Sequence, residues 1–148
     1  MYFYSYEEFN KDMLELARKI KNECDIDCIL AIARGGVTIG HFLSIALNLR
    51  SLYTLNSIHY DDTQKLDYIK IWNIPDLSAA KNVLLVDDIV DSGDSMKAIK
   101  EKVLSTAPHI NISTVSIFFK PNAHFSPDFS LHEAKEWIRF FWDIELKE

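Results

Sequence analysis

The stretch VLLVDDIVDSGDS, residues 83–95, changes character within thirteen residues. It begins as a short, continuous apolar run of the kind found in strands buried on both faces. It ends like the first turn of a helix, and Met96, Ile99 and Val103 carry the apolar spacing of that helix onward. Between the two lie Asp87, Asp88, Asp91 and Asp94, with Gly93. Backbone N–H groups at a turn entering a helix have no partners and, with the helix dipole, form an anion site. Ser92 and Ser95 add hydroxyl donors. The loop is therefore built to hold an anion, yet it is crowded with carboxylates. A ligand that reconciles the two must offer hydroxyls or a cation as well as a phosphate. A phosphorylated ribose carrying Mg²⁺ meets every requirement, because Mg²⁺ binds through one or two carboxylates together with substrate phosphates.

An earlier segment has the same plan. CILAIA (28–33) reads as a second buried strand, followed by Arg34-Gly35-Gly36. Ile39, Phe42, Leu43, Ala46 and Leu47 then mark an amphipathic helix. The four glycines are Gly35, Gly36, Gly40 and Gly93, and all of them follow these two strands. In open α/β sheets ligands bind outside the carboxyl ends of the strands, so both turns should face one crevice. Gly35 to Gly40 has the spacing of a nucleotide-binding P-loop, but His41 and Phe42 stand where Lys and Ser or Thr are needed.

Around these units, Ser5-Tyr6-Glu7-Glu8 reads as a capping box opening a helix near 5–22, with Phe9, Met13, Ala17 and Ile20 on its buried face. Residues 51–60 and 66–72 read as strands joined by DDTQK, and 112–120 as another. From Pro121 the chain is irregular until it closes with WIRFFWDIE, 137–145. Strands alternating with helices predict an α/β fold in three layers, a mainly parallel central sheet flanked by helices. Its 148 residues suit a single domain, 1–148.

Net charge is −6, without a Lys/Arg run, which argues against nucleic acid and against an anionic membrane surface as partners. No apolar run approaches the roughly 20 residues that span a bilayer. The opening MYFYSYEEFNKD has no basic region followed by an apolar core, so the expected location is the cytoplasm. Cys24 and Cys28 lack the companions of a zinc site and read as ordinary thiols.

Hydrophobic strand followed by D-D-x-x-D-[ST]-G-x-[ST] resembles the signature of the type I phosphoribosyltransferases, which bind 5-phosphoribosyl-1-pyrophosphate. Ala33-Arg34-Gly35-Gly36 resembles that family's pyrophosphate loop, one βα unit earlier. Phe119-Lys120-Pro121, Trp137-Ile138 and Trp142-Asp143 resemble the purine-recognition parts of the bacterial xanthine-guanine enzymes. The resemblance implies the type I phosphoribosyltransferase fold, with 121–148 as a small base-recognition hood.

It further implies that Asp87 and Asp88 take the ribose 2′- and 3′-hydroxyls, with Asp88 also in the Mg²⁺ shell. Asp91, Ser92, Gly93, Asp94 and Ser95 cradle the 5′-phosphate, and Arg34, Gly35 and Gly36 hold the pyrophosphate. Asp91 faces N7 of a purine and carries the proton chemistry. Lys120 donates to O6, Trp137 stacks on the base, and Ile138 and Asp143 read the 2-position. The peptide before Arg34 is expected to be cis. A loop over 57–65 closes on the reaction, with Tyr60 as its lid residue.

The implied activity is purine salvage: a 6-oxopurine (guanine, xanthine or hypoxanthine) and 5-phosphoribosyl-1-pyrophosphate give a nucleoside monophosphate and pyrophosphate, in a homodimer or homotetramer. Two other readings are a non-catalytic sensor of phosphoribosyl pyrophosphate and a pyrimidine phosphoribosyltransferase. Asp94 and Arg139 depart from the family pattern, the first being commonly small or uncharged and the second commonly acidic. Asp94 is expected to point away from the ligand.

Overall fold

A computed structural model describes residues 1–60 and 68–147. The elements are β1 (Tyr2–Tyr4), α1 (Tyr6–Glu23), β2 (Cys28–Ala33), α2 (Gly35–Ala46), β3 (Leu52–Tyr60), β4 (Tyr68–Trp72), β5 (Asn82–Val86), β6 (Ile89–Val90), α3 (Asp94–Thr106), β7 (Asn111–Val115), β8 (Phe118–Phe119), β9 (His132–Glu133) and β10 (Ile138–Phe140). The central sheet has the order β4-β3-β2-β5-β7. Its pairs are parallel except β3–β4, an antiparallel hairpin at one edge.

Alternation along the buried strands sets the layers, since neighbouring side chains point to opposite faces. Ile29, Leu84 and Val86 pack with Phe9, Leu16, Ile39 and Leu43 of α1 and α2. Leu30, Leu85 and Leu55 pack on the other face with Met96, Ile99 and Val103 of α3. The expected three layers follow. α1 begins with the capping box: the Glu8 N–H donates to Ser5 Oγ at 3.2 Å, and the Ser5 N–H donates to Glu8 Oε2 at 2.8 Å.

Three local expectations are corrected. The strand expected over 83–88 ends at Val86, so Asp87 and Asp88 form the connection to β6 rather than the strand's end. The strand expected over 112–120 is broken at Ser116-Ile117. There the Ile117 and Phe118 N–H groups both donate to the Asp88 carbonyl, at 3.1 and 3.2 Å, and the chain passes from the central sheet into a small sheet, β6-β8-β9. Only Ile138–Phe140 of the closing segment is strand, and β9 interrupts the stretch expected to be irregular. Residues 2–4, ahead of the helix expected near 5–22, form β1 and pair in parallel with β10, Tyr2 opposite Ile138. Tyr4 is fully buried there, and its hydroxyl donates to the buried Asp12 of α1 at 2.5 Å. No helix among the described residues is long and apolar enough to cross a membrane.

Candidate active site

The two glycine-bearing turns leave adjacent strands, β2 and β5, at the same end, and they touch. A Cβ on Gly36 would stand 3.1 Å from Asp87 Cα and even closer to the Val86 carbonyl oxygen. A Cβ on Gly35 would stand 2.5 Å from Asp88 Cγ and overlap its carboxylate. These glycines therefore allow the start of α2 to lie directly on the Asp87-Asp88 connection. The Ala33–Arg34 peptide entering α2 is cis, as expected.

The Asp pair is held by backbone. The Asp88 N–H donates to Asp87 Oδ1 at 2.9 Å, and the Ile89 N–H to Asp88 Oδ1 at 2.7 Å. The Asp87 N–H donates to the Val115 carbonyl at 3.1 Å. Burial pushes both carboxyls above the usual carboxylate range, Asp87 well above it with the Asp88 charge adding. At Asp88 the backbone hydrogen bonds oppose the rise and the charge of Asp143 adds to it.

Past β6, Gly93 takes φ 87° at the entrance to α3, a left-handed conformation suited to glycine. Its outer side is covered by Phe125, the nearest atoms to a Cβ placed there, and the His124 N–H donates to the Ser92 carbonyl at 2.7 Å. Ser92 Oγ accepts from the Asp94 N–H at 3.1 Å, and Asp94 itself is exposed. Exposure fits the expectation that it points outward.

Three recesses surround Asp88. One, about 420 Å³, is lined by the turn Asp91–Gly93, Ser95, both members of the Asp pair and His59. A second, about 410 Å³, is lined by Arg34, Gly35, Trp142, Asp143 and Asp88. The third, about 500 Å³, brings together Asp88, Asp91, Lys120, Trp137, Ile138 and Asp143. Within it Lys120 Nζ lies 2.7 Å from Asp91 Oδ1. Trp137 is 77% exposed on the rim, which excludes a core role. Ile138 is buried, and the Phe140 N–H donates to Asp143 Oδ2 at 2.9 Å, fixing the Asp143 carboxylate at the junction of two recesses. Arg139 turns to the Asp143 carbonyl, at 3.2 Å, and towards Glu145.

At the expected lid, Tyr60 stacks on Tyr68 across the hairpin, with ring centroids 4.9 Å apart, and it is the neighbouring His59 that lines the first recess. Residues 61–65 of that lid lie outside the described residues. His59 and Phe125 were missed by sequence reasoning. Alternation from the buried Leu55 through Ser57 would have pointed to His59; nothing local marks Phe125.

Paired glycine turns meeting at an acidic dipeptide, beside a phosphate-type turn, define a phosphoribosyl-transfer fold. The chain belongs to the phosphoribosyltransferase family: the model of the phosphoribosyl transferase domain matches residues 4–148. It is 30% identical over 150 residues to the xanthine-guanine phosphoribosyltransferase of Idiomarina loihiensis, covering 98% of this chain and 88% of that one. Its structure matches the Helicobacter pylori xanthine-guanine-hypoxanthine phosphoribosyltransferase with a TM-score of 0.90 at 39% identity, over 97% and 94% of the two chains. A purine phosphoribosyltransferase from Pyrococcus horikoshii shares the fold, with a TM-score of 0.82 at 24% identity over 99% and 97%.

Proposed function

We propose that this enzyme serves purine salvage, joining guanine, xanthine or hypoxanthine to 5-phosphoribosyl-1-pyrophosphate. The observation that carries the reading is the meeting of the two turns at Asp88, which lines all three recesses. A ligand with a 5′-phosphate, a ribose diol and a pyrophosphate can occupy the first two recesses at once, leaving C1′ towards the third.

In that third recess a 6-oxopurine would meet Lys120 at O6 and Asp91 at N7, with Trp137 against its face. N9 attacks C1′, the C1′–O bond to pyrophosphate breaks, and its electron pair leaves with the pyrophosphate. Positive charge developing on the ribose is met by Asp87 and Asp88. Asp91 accepts the proton that the purine loses from N7 as the N9–C1′ bond forms, a role worth roughly 10²–10⁴ in rate. Charge gathering on the pyrophosphate would be met by Arg34 and the N–H groups at the start of α2.

The donor set fits Mg²⁺. Asp87 and Asp88 are adjacent, half-buried carboxylates. No group of three or more metal-binding side chains is present among the described residues, so the site is not an all-protein cage. One or two carboxylates completed by substrate oxygens is the arrangement Mg²⁺ prefers. When bound, Mg²⁺ would neutralise the pyrophosphate as it leaves.

The test is a panel of single bases supplied with Mg²⁺ and phosphoribosyl pyrophosphate, with nucleotide and pyrophosphate measured. Product is expected with the 6-oxopurines and not with adenine, uracil or orotate. Product with uracil or orotate alone would establish a pyrimidine enzyme, and none with any base would favour a sensor.

A further inference from the structure

Among the described residues, the recess over the phosphate turn is lined by carboxylates and hydroxyls, with a single side chain that can be cationic. Its lining presents Asp87, Asp88 and Asp91, the last paired with Lys120 at 2.7 Å, while Asp94 stays exposed outside the lining. Against these the turn offers backbone N–H groups, the α3 dipole and the Ser92 and Ser95 hydroxyls, all of them partial charges. A sugar phosphate is a dianion near neutral pH, and like charges within a few ångströms repel strongly where water is partly excluded. Mg²⁺ held at Asp87-Asp88 would serve the diol and pyrophosphate, at the other side of the ligand. Among the described residues lining this recess, His59 is the one side chain able to carry a positive charge.

Its position follows from the strand. Leu55 of β3 is fully buried in the α3-side core, together with Met96 and Ile99. Period two then puts Ser57 and His59 on that same face. β3 outlasts its neighbour: its pairing with β2 ends at Asn56, while its pairing with β4 continues through His59 opposite Ile69 to Tyr60 opposite Tyr68. His59 is exposed to solvent and faces the N-terminus of α3. Tyr60, on the opposite face, stacks on Tyr68.

We propose that His59 is a binding residue for the 5′-phosphate of the sugar substrate, donating a charge-assisted hydrogen bond across the recess from Gly93 and Ser95. This rests on the reading of the site as a phosphoribosyl pyrophosphate site. It deepens that reading by naming a phosphate ligand contributed by the sheet edge rather than by the turn.

The experiment is calorimetric titration of wild type, His59→Gln and His59→Arg with two probes, ribose 5-phosphate and Mg²⁺-pyrophosphate. Hydrogen bonds to charged groups correspond to about 10-fold to 100-fold in affinity. His59→Gln should lose that factor for ribose 5-phosphate and keep its affinity for pyrophosphate. His59→Arg should restore most of the loss. In turnover assays the same variants should change KM for phosphoribosyl pyrophosphate and leave kcat within about twofold, a split that a merely structural residue would not give. Because His59 is exposed, both variants should melt near the wild-type temperature. Unchanged ribose 5-phosphate affinity in His59→Gln overturns the assignment while leaving the site's identity intact. Equal losses for both probes overturn it too, moving His59 to the leaving group. Wild-type protein that binds neither probe overturns the assignment together with the reading beneath it.

Discussion

Substituting Gly36 by Ala separates a structural requirement from a chemical one when it is set beside the same change at Gly35. Away from a contact, Gly→Ala in a helix stabilises by up to about 1 kcal/mol. At Gly36 the added methyl would meet the Val86 carbonyl group and Asp87 Cα, all backbone of the central strand connection, which cannot rotate aside. The start of α2 must withdraw, lifting Ile39 and Leu43, both 0% exposed, from Ile29, Leu84 and Val86. Overpacking of this kind costs about 1–3 kcal/mol, and partial re-exposure of side chains worth about 1.5–3 kcal/mol each adds to it. The expected net loss is about 2–4 kcal/mol, which at about 2–4 °C per kcal/mol lowers Tm by roughly 5–15 °C. At Gly35 the nearest atoms to the methyl all belong to the Asp88 carboxylate, a side-chain group that can turn aside by giving up its hydrogen bond from the Ile89 N–H. Gly35→Ala should therefore melt within a few degrees of wild type and lose the stabilisation given by Mg²⁺ with phosphoribosyl pyrophosphate. Thermal unfolding with and without that ligand reads both effects. A Gly36→Ala protein melting at or above wild type would refute the seating of α2 on β5. Full ligand stabilisation in Gly35→Ala would refute the placement of Asp88.

Other outcomes follow from single groups. Asp91→Asn should leave the affinity for phosphoribosyl pyrophosphate nearly intact and cut turnover more than tenfold; equal turnover removes Asp91 from the mechanism. Burial and then the Asp27 charge push the Cys28 thiol up to about 11, leaving roughly one thiolate in 10³ at pH 8. Native protein treated with iodoacetamide should carry label at the half-buried Cys24 and not at Cys28, read by peptide mass. Burial raises the Glu8 carboxyl, but hydrogen bonds from Ser5 and Tyr2 outweigh it and hold the group below its ordinary 4.5. A depressed folded-state value gives stability present above the unfolded value and lost as pH falls through the folded one. The Tm gap between wild type and Glu8→Gln should thus be constant from pH 6 to 8 and close below about pH 4; a gap that persists in acid would show that the carboxylate charge is not its source.

The parts legible in sequence were those encoded by neighbours. Alternation in 28–33 and 83–86 and helical spacing in α1 to α3 gave the layers, and the four glycines pointed to the crevice. What escaped was encoded at a distance. The break at Ser116-Ile117 comes from the Asp88 carbonyl capturing two N–H groups, and no property of ISTVSIFFK announces it. β1 is three residues long and becomes a strand only because β10 lies beside it. At the site, Lys120, Trp137 and Asp143 were found by motif resemblance. His59 needed knowledge of which strand face turns towards α3.

The pairing of Tyr2–Tyr4 with Ile138–Phe140 joins two segments separated in sequence by nearly all the other elements of the fold. Such end-to-end closure is slow to form, because the longest loop must be drawn shut first. A folding chain can seat β2, β5 and α3 against one another well before the segment bearing Trp137 docks. It is thus able to complete the crevice between its two glycine turns while the neighbouring recess still lacks a wall, and that wall arrives only with the most distant strand pairing of the fold.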